Sequence, residues 1–253
     1  TVITGLNKSD LLIIAARPAM GKTSFALNIA SHVGKKSGKE VAIFSLEMSN
    51  DQLVSRLLSA EGQISSYNLR TGELTPDEWV RLASAAEILS RAEIYLSDTP
   101  NISVAEMKAK LRRQNNLGLV VIDYLQLMST GRKDGNRVQE ISEITRNLKI
   151  MAKELNVPVV TLSQLGRGPD SRTDHRPLLS DLRESGSIEQ DADVVMFLYR
   201  DEYYNKETED HNIAECIVAK NRHGEADTVK LAWDGQFTRF SNLELYRDEP
   251  QGY

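Results

Sequence analysis

The segment Ala16–Thr23, which reads Ala-Arg-Pro-Ala-Met-Gly-Lys-Thr, constrains the fold of this 253-residue chain more than any other. It follows the apolar run Leu11–Ala15 and leads into Ser24–Ala30, which suits a helix. A strand, a tight loop and a helix in this order are typical of a phosphate-binding loop, or P-loop, because loop N–H groups and the helix N-terminus attract anions. The segment therefore predicts a polyphosphate site. The alternative is a Gly-Lys-Thr helix start without a ligand.

Three residues of this loop carry specific expectations. Lys22 would reach the β- and γ-phosphates, and the Thr23 hydroxyl would bind Mg²⁺. The motif G-x-x-x-x-G-K-[ST] begins with glycine, whereas this chain has Ala16 there. Alanine suits the position only if the backbone has no positive φ, so we expect an ordinary conformation at Ala16.

Composition limits the class of protein. Hydrophobic residues make up 40% of the chain and charged residues 26%, which indicates a globular domain with a sizeable core. No apolar run is long enough to cross a bilayer and no signal peptide is recognisable, so we expect no membrane partner. Cys216 is the single cysteine, which favours a cytoplasmic location. The net charge of −5 indicates that any contact with nucleic acid is a local lining.

Continuous apolar runs separated by helical patterns predict an α/β fold with a mostly parallel central sheet flanked by helices. Asp234-Gly235, between two short strands, predicts a C-terminal antiparallel hairpin. Gly166–Arg176 is polar and rich in Gly, Pro, Asp and Arg, so we expect an exposed, mobile loop. No linker interrupts the chain, so we expect a single domain over residues 1–253. The predicted strands are Leu11–Ala15, Val41–Leu46, Ile94–Ser97, Leu119–Tyr124, Val157–Leu162, Asp193–Tyr199, Ile213–Ala219, Thr228–Trp233 and Phe237–Phe240; the predicted helices include Asp51–Ala60, Ser103–Asn115 and Arg137–Leu155.

Polar residues end three of the buried strands, at the edge where open α/β sheets bind ligands. Asp123 has the position of a Walker B acid that organises Mg²⁺; the alternative is a strand-end cap. Glu47 could accept a proton from an attacking water; the alternative is a capping partner of the next helix, although Ser49 suits that role better. Gln164 could hydrogen-bond a γ-phosphate or water, but its spacing alone decides nothing.

Lys220 and Arg222 lie in a predicted turn between two strands. An active P-loop NTPase needs a cation on the transition-state phosphate, and a neighbouring subunit often supplies it. These two side chains are the candidates for that arginine finger. The alternative is a solvated basic turn.

Six motifs together resemble the DnaB family, the replicative hexameric DNA helicases of bacteria and their phages. They follow the family's order from end to end, and an alanine at the first P-loop position also occurs in that family. The family's N-terminal helical domain and linker helix have no counterpart here, so the chain resembles the C-terminal ATPase domain alone. The motifs are Ala16–Thr23, Ser45–Ser49, Val121–Leu127, Leu162–Leu165, Asp181–Asp193 and Ala219–Arg222.

The resemblance implies a RecA-like fold, a homo-hexameric ring and a nucleotide site at each subunit interface. It implies ATP, or another NTP, with Mg²⁺ as cofactor, and 5′→3′ translocation on single-stranded DNA in a bacterial cell, encoded by the bacterium or a phage. A helicase loader and a primase are the expected protein partners, through the missing N-terminal part or the C-terminal face.

The resemblance also implies a role for each site residue. Glu47 would be the catalytic base, Gln164 the γ-phosphate sensor, and Lys220 with Arg222 the finger. Thr23 and Asp123 would hold the metal, while Arg183, Glu184 and Gly186 would contact DNA in the central channel. The nucleotide would contact Ala16, Arg17, Pro18, Ala19, Met20, Gly21, Lys22, Thr23, Ser24 and Arg56.

Two other functions share this core. One is a RecA-like recombination ATPase, against which the Asp181–Asp193 motif argues. The other is a nucleotide-binding regulator that hydrolyses slowly. Stimulation of ATP hydrolysis by DNA separates the helicase from such a regulator.

Overall fold

The fold is built on one mixed sheet, seen in a computed structural model that describes residues 3, 5–129, 136–185 and 188–243. None of the helices in these ranges is long and apolar enough to cross a membrane. The strands of the sheet are β1 (Leu11–Ala16), β2 (Glu40–Ser45), β3 (Ile94–Ser97), β4 (Leu117–Asp123), β5 (Val159–Gln164), β6 (Val194–Tyr199), β7 (Ile213–Asn221), β8 (Asp227–Asp234) and β9 (Arg239–Asn242).

Helices cover both faces of the sheet and follow the strands along the chain. Short 3₁₀ helices occupy Leu125–Leu127, Pro169–Ser171 and Leu179–Ser185. The α-helices are α1 (Lys22–Lys36), α2 (Asn50–Gly62), α3 (Ser66–Thr71), α4 (Pro76–Ser90), α5 (Val104–Leu111), α6 (Arg137–Leu155), α7 (Ile188–Asp191) and α8 (Asp201–Tyr204).

The strand order is β3-β2-β4-β5-β1-β6-β7-β8-β9. The strands from β3 to β6 in this order pair in parallel, and the pairs β6–β7, β7–β8 and β8–β9 are antiparallel. All six residues of β1 are buried. Alternate β1 residues enter two cores: Leu11 and Ile13 pack on the α6 side, and Leu12 and Ile14 pack on the α1 and α2 side. This arrangement confirms the mostly parallel sheet and the C-terminal antiparallel hairpin.

Some element boundaries differ from the sequence expectation. The strand expected at Val157–Leu162 is β5, which is shifted toward Gln164 because Pro158 has no N–H for the ladder. The helix expected at Ser103–Asn115 already ends at Leu111. Helix α3, only six residues long, has too few turns for a periodic pattern and was not predicted.

The loop at 166–176 is anchored, contrary to the expectation of an exposed, mobile loop. Pro169 is buried, and Asp170 forms a salt bridge with Arg17. Arg172 pairs with Asp181 and Arg176 pairs with Glu215, each through two hydrogen bonds. The charges that the sequence suggested were solvated are therefore used to hold the loop on the sheet.

Candidate active site

The loop between β1 and α1 has the backbone of an anion-binding turn. Ala16 ends β1 without a positive φ, as expected, whereas Ala19 (φ 66°) and Gly21 (φ 91°) are left-handed. Gly21 is the N-cap of α1, and no side chain caps this helix. The N–H groups of the first turn of α1 are therefore left for a ligand, together with the positive end of the helix dipole.

Packing explains why position 21 is glycine. A Cβ there would lie 2.9 Å from Cζ of Phe240 and 3.3 Å from Cη2 of Trp233. Phe240 is also tied to α1, since its N–H donates to Oδ1 of Asn28 (2.7 Å). The C-terminal hairpin of β8 and β9 thus closes directly on the start of α1.

One cavity of about 400 Å³ joins the P-loop to the ends of the neighbouring strands. Parallel pairing explains the convergence, because β1, β2, β4 and β5 all end at the same edge of the sheet. Met20 does not line the cavity; its side chain is buried in the core. The lining residues that the sequence had singled out are Ala16, Arg17, Pro18, Ala19, Gly21, Lys22, Thr23, Ser24, Glu47, Arg56 and Gln164.

Asp123 lies beneath the P-loop and is 1% exposed. Its Oδ2 accepts a hydrogen bond from the Thr23 hydroxyl (2.7 Å), and Nζ of Lys22 lies 4.0 Å from its Oδ1. That Oδ1 accepts no hydrogen bond from any residue that the structure describes. A buried carboxylate oxygen without a partner is costly, so this atom is suited to a cation.

The cavity contains two cations removed from water. Burial lowers the pKa of the Lys22 ammonium below its ordinary value, and the nearby Asp123 and Glu47 only partly raise it. Burial lowers the pKa of Arg56 in the same way, although a guanidinium stays protonated. Desolvated positive charge beside an open helix N-terminus favours a polyanion.

Gln164 is exposed to the cavity, and its backbone is fixed by Gln126. Oε1 of Gln126 accepts from the Gln164 N–H (3.0 Å), and its Nε2 donates to the Gln164 carbonyl (3.1 Å) and to Ser163 Oγ (2.8 Å). The guanidinium of Arg17, by contrast, bonds Asp170 and the Leu165 carbonyl. The end of β5 is thus held from both sides, and Arg17 is used in holding it.

Lys220 and Arg222 lie at the opposite edge of the sheet from this cavity. They end β7, which runs antiparallel to β6, so they sit beside the beginning of β6. Lys220 Nζ donates to the carbonyls of Glu189 and Ala192 (2.5 and 2.7 Å), and Arg222 donates to the Gln190 carbonyl (2.6 Å). They are brought together, as expected of neighbouring finger residues, but away from their own P-loop.

The expected DNA-binding residues follow the loop at 166–176. Arg183 and Glu184 lie in the 3₁₀ helix Leu179–Ser185, and Gly186 lies outside the described residues. Their contacts with DNA stay a prediction.

Sequence reasoning missed several residues around the cavity. Gln52, Trp233 and Thr238 also line it. Arg200 donates to the Ala19 carbonyl (3.2 Å) and stacks on Trp233, with 5.2 Å between Cζ and the ring centroid. No motif marks these residues, because only the folding of the hairpin over α1 brings them to the P-loop.

Comparison with known proteins adds the family to this geometry. The family model of the DnaB-like helicase C terminal domain matches residues 1–242. The chain belongs to this family. The resemblance inferred from the six motifs is therefore confirmed.

Two curated relatives and two solved structures are similar to this DnaB-like domain. It is 56% identical to the replicative DNA helicase DnaB of Geobacillus stearothermophilus and 55% identical to the replicative DNA helicase DnaC of Bacillus subtilis (strain 168). Those matches cover 98% and 97% of this chain, but the chain spans only 56% and 55% of the two relatives.

The structural matches are equally extensive. A solved structure of an isolated ATPase domain has a TM-score of 0.90 at 41% identity, covering 94% of this chain and 86% of that one. A DnaB-like replicative helicase, described with its interactions with primase, has a TM-score of 0.91 at 41% identity, covering 95% and 59%. The RecA-like ATPase fold is thereby confirmed.

The close packing at Gly21 generates a prediction about stability. A left-handed non-glycine residue costs on the order of 1–3 kcal/mol, and a clash in a packed core adds about 1–3 kcal/mol. We expect Gly21→Ala to lower the free energy of unfolding by both terms, measured by urea denaturation. The matched control is Gly38→Ala, where φ is also positive (61°) but nothing lies within 4 Å of the added Cβ. Equal losses in the two variants would show that Phe240 and Trp233 yield freely.

Proposed function

We propose that this domain is the ATP-hydrolysing motor of a replicative DNA helicase. The observation that carries the proposal is that Lys22, Thr23, Asp123, Glu47 and Gln164 meet at the ends of four adjacent parallel strands. Family membership supports it. The domain would act in a bacterial cell, in the cytoplasm where the chromosome is copied.

ATP, or another nucleoside triphosphate, would occupy the 400 Å³ cavity. Its phosphates would accept hydrogen bonds from the backbone of residues 17–24 and from Lys22. Arg56, which lines the cavity farther from the strand ends on α2, would contact the sugar or base.

The residues present fit a magnesium ion. Asp123 offers a buried carboxylate oxygen without a hydrogen bond from the described residues, beside the Thr23 hydroxyl. Thr23 and Asp123 would hold Mg²⁺, directly or through water, and the bound ion would neutralise phosphate charge.

Hydrolysis needs a base, and Glu47 is suited to that role. It follows β2, faces the cavity and is exposed, so an attacking water can reach its carboxylate. Glu47 would accept the proton of the water as oxygen attacks the γ-phosphorus and the bond to the departing ADP breaks. Gln164 would hydrogen-bond the γ-phosphate and would lose this contact after hydrolysis.

The positions of Lys220 and Arg222 support a ring of subunits. The six residues of β1 span about 20 Å. Its carboxyl end leads to the P-loop, and its amino end lies beside Asp193, which pairs with Arg222. A cation at the amino edge cannot reach its own P-loop, so the finger would act on the nucleotide of the next subunit in a homo-hexamer.

Single-stranded DNA would pass through the ring. Arg183 and the backbone of Glu184 and Gly186 would contact phosphates without reading bases. Six copies of such a lining need no basic surface, which agrees with the net charge of −5. Hydrolysis at one interface would loosen one grip, so that the ring steps 5′→3′ along one strand and excludes the other.

The protein partners follow from the relatives. One solved relative is described with its interactions with primase. We propose that this protein also works with a primase and with a helicase loader.

Glu47→Gln tests the base. We expect nucleotide affinity to persist while kcat falls about 10²-fold or more, because the proton acceptor is lost. Steady-state hydrolysis and titration with a fluorescent ATP analogue measure the two quantities. Glu87→Gln, which alters an exposed acid on α4, is the control. Normal turnover by Glu47→Gln at unchanged affinity would remove Glu47 from the mechanism.

Arg183→Ala tests the DNA lining. We expect weaker binding to every single-stranded sequence, and a salt dependence whose log–log slope falls by about 0.7 per lost phosphate contact. Basal hydrolysis should persist while its stimulation by DNA is lost. Arg91→Ala removes an exposed charge at the end of α4 as the control. A change in sequence preference would instead indicate base recognition.

A mixture of two inactive variants tests the finger. Arg222→Ala should bind ATP but hydrolyse it poorly, since the cation acts on transition-state charge, and Lys22→Ala should fail at the phosphates. In hetero-oligomers isolated through two different tags, some interfaces combine an intact Lys22 with an intact Arg222. We expect hydrolysis above either parent.

Rings of wild-type and Lys22→Ala subunits are the control for that mixture. A steep loss at a low mutant fraction would mean that turnover needs several working sites. If this control falls only in proportion and the variant mixture stays inactive, Arg222 does not act in trans.

A further inference from the structure

The finger residues are mounted on a buried charged cluster at the edge of the sheet opposite the P-loop. The carboxylate of Asp193, whose side chain is 5% exposed, lies immediately before β6. Its Oδ2 accepts from the Leu11 N–H (2.8 Å) and from Nζ of Lys149 on α6, and its Oδ1 lies 3.3 Å from Nη1 of Arg222. Three elements and the finger thus meet at one carboxylate.

Arg222 is held in one orientation by this cluster. Its N–H donates to the Asp193 carbonyl (2.9 Å) and its Nη2 to the Gln190 carbonyl (2.6 Å), so both backbone and side chain are fixed against the same segment. Its side chain nevertheless stays 48% exposed. A guanidinium has five N–H groups, which leaves donors for a phosphate beyond the chain's own surface.

We propose that Asp193 is a positioning residue for the trans-acting finger: its buried carboxylate orients the Arg222 guanidinium toward the neighbouring subunit's nucleotide. The inference rests on the proposed function, since it presumes that Arg222 acts in trans. Lys149 fixes the far side of the carboxylate, and its Nζ also donates to the Ser9 carbonyl (2.8 Å). Oriented cations need no reorganisation in the transition state, which is where preorganised charge contributes most.

Asp193→Asn is the direct test of this role. It keeps the size of the side chain and an acceptor for the Leu11 N–H, but it removes the charge that orients Arg222. We expect kcat to fall about 10- to 100-fold with KM for ATP within about 2-fold, because misplacing a group by about 1 Å can reduce the rate 10²-fold. A rise in kcat would overturn the proposal, since Asp193 would then restrain the finger from the neighbour. Unchanged kcat would overturn it too.

Removing Asp193 alone leaves the buried Lys149 without its carboxylate, which can unfold a domain. The second variant is therefore Asp193→Asn combined with Lys149→Met, compared with Lys149→Met alone. The same 10- to 100-fold ratio in kcat is expected. Glu215→Gln is the matched control, because it removes a buried carboxylate on β7 that pairs with Arg176 and does not touch Arg222; its kcat should stay within about 2-fold.

Mixed rings distinguish positioning from simple damage to the fold. A subunit with a misplaced finger still has a sound P-loop, so the Asp193→Asn/Lys149→Met subunit should regain hydrolysis when mixed with Lys22→Ala subunits. If Asp193 merely holds β1 in place, its loss damages the P-loop of the same subunit, and the mixture stays inactive. That result would overturn the inference while the recovery of the Arg222→Ala mixture would still support the trans finger. If the Arg222→Ala mixture also fails while the wild-type control falls in proportion, the proposed function of Arg222 fails first.

Discussion

The parallel pairing of β1 with β5 on one side and β6 on the other is the constraint on which the site depends. β1 is buried along its whole length, so its register with both neighbours is fixed by two cores at once. Parallel strands end at the same edge, which brings Ala16 beside Gln164. Without that register, the P-loop and the residues of β2, β4 and β5 would not share a cavity.

The same strand explains why one subunit holds two incomplete half-sites. The P-loop follows the carboxyl end of β1, whereas the cluster around Asp193 holds its amino end, and a rigid strand separates them. Small rearrangements of side chains cannot bridge the sheet. Complementary halves on opposite edges suit a closed ring, where each subunit supplies a P-loop to one neighbour and a cation to the other.

The sequence was informative where chemistry is local. Glu47, Asp123 and Gln164 each follow an apolar run, so a parallel sheet had to bring them to one edge. The sequence could not reveal Trp233 and Thr238 in the cavity, because their approach depends on how the hairpin folds over α1. Nor could it reveal that the charges of the loop at 166–176 are paired, since Arg17 and Asp170 are far apart along the chain.

Two buried aspartates at opposite ends of the sheet illustrate how similar groups take different roles. Asp193 has partners for both oxygens: a backbone N–H and Lys149 on one, and Arg222 on the other. It can therefore orient a cation of the protein without needing a ligand. Asp123 has one oxygen bonded to Thr23 and one without a hydrogen bond from the described residues. The desolvation of that oxygen is uncompensated until a cation arrives, so the folded domain is built to bind charge at one edge and to present it at the other.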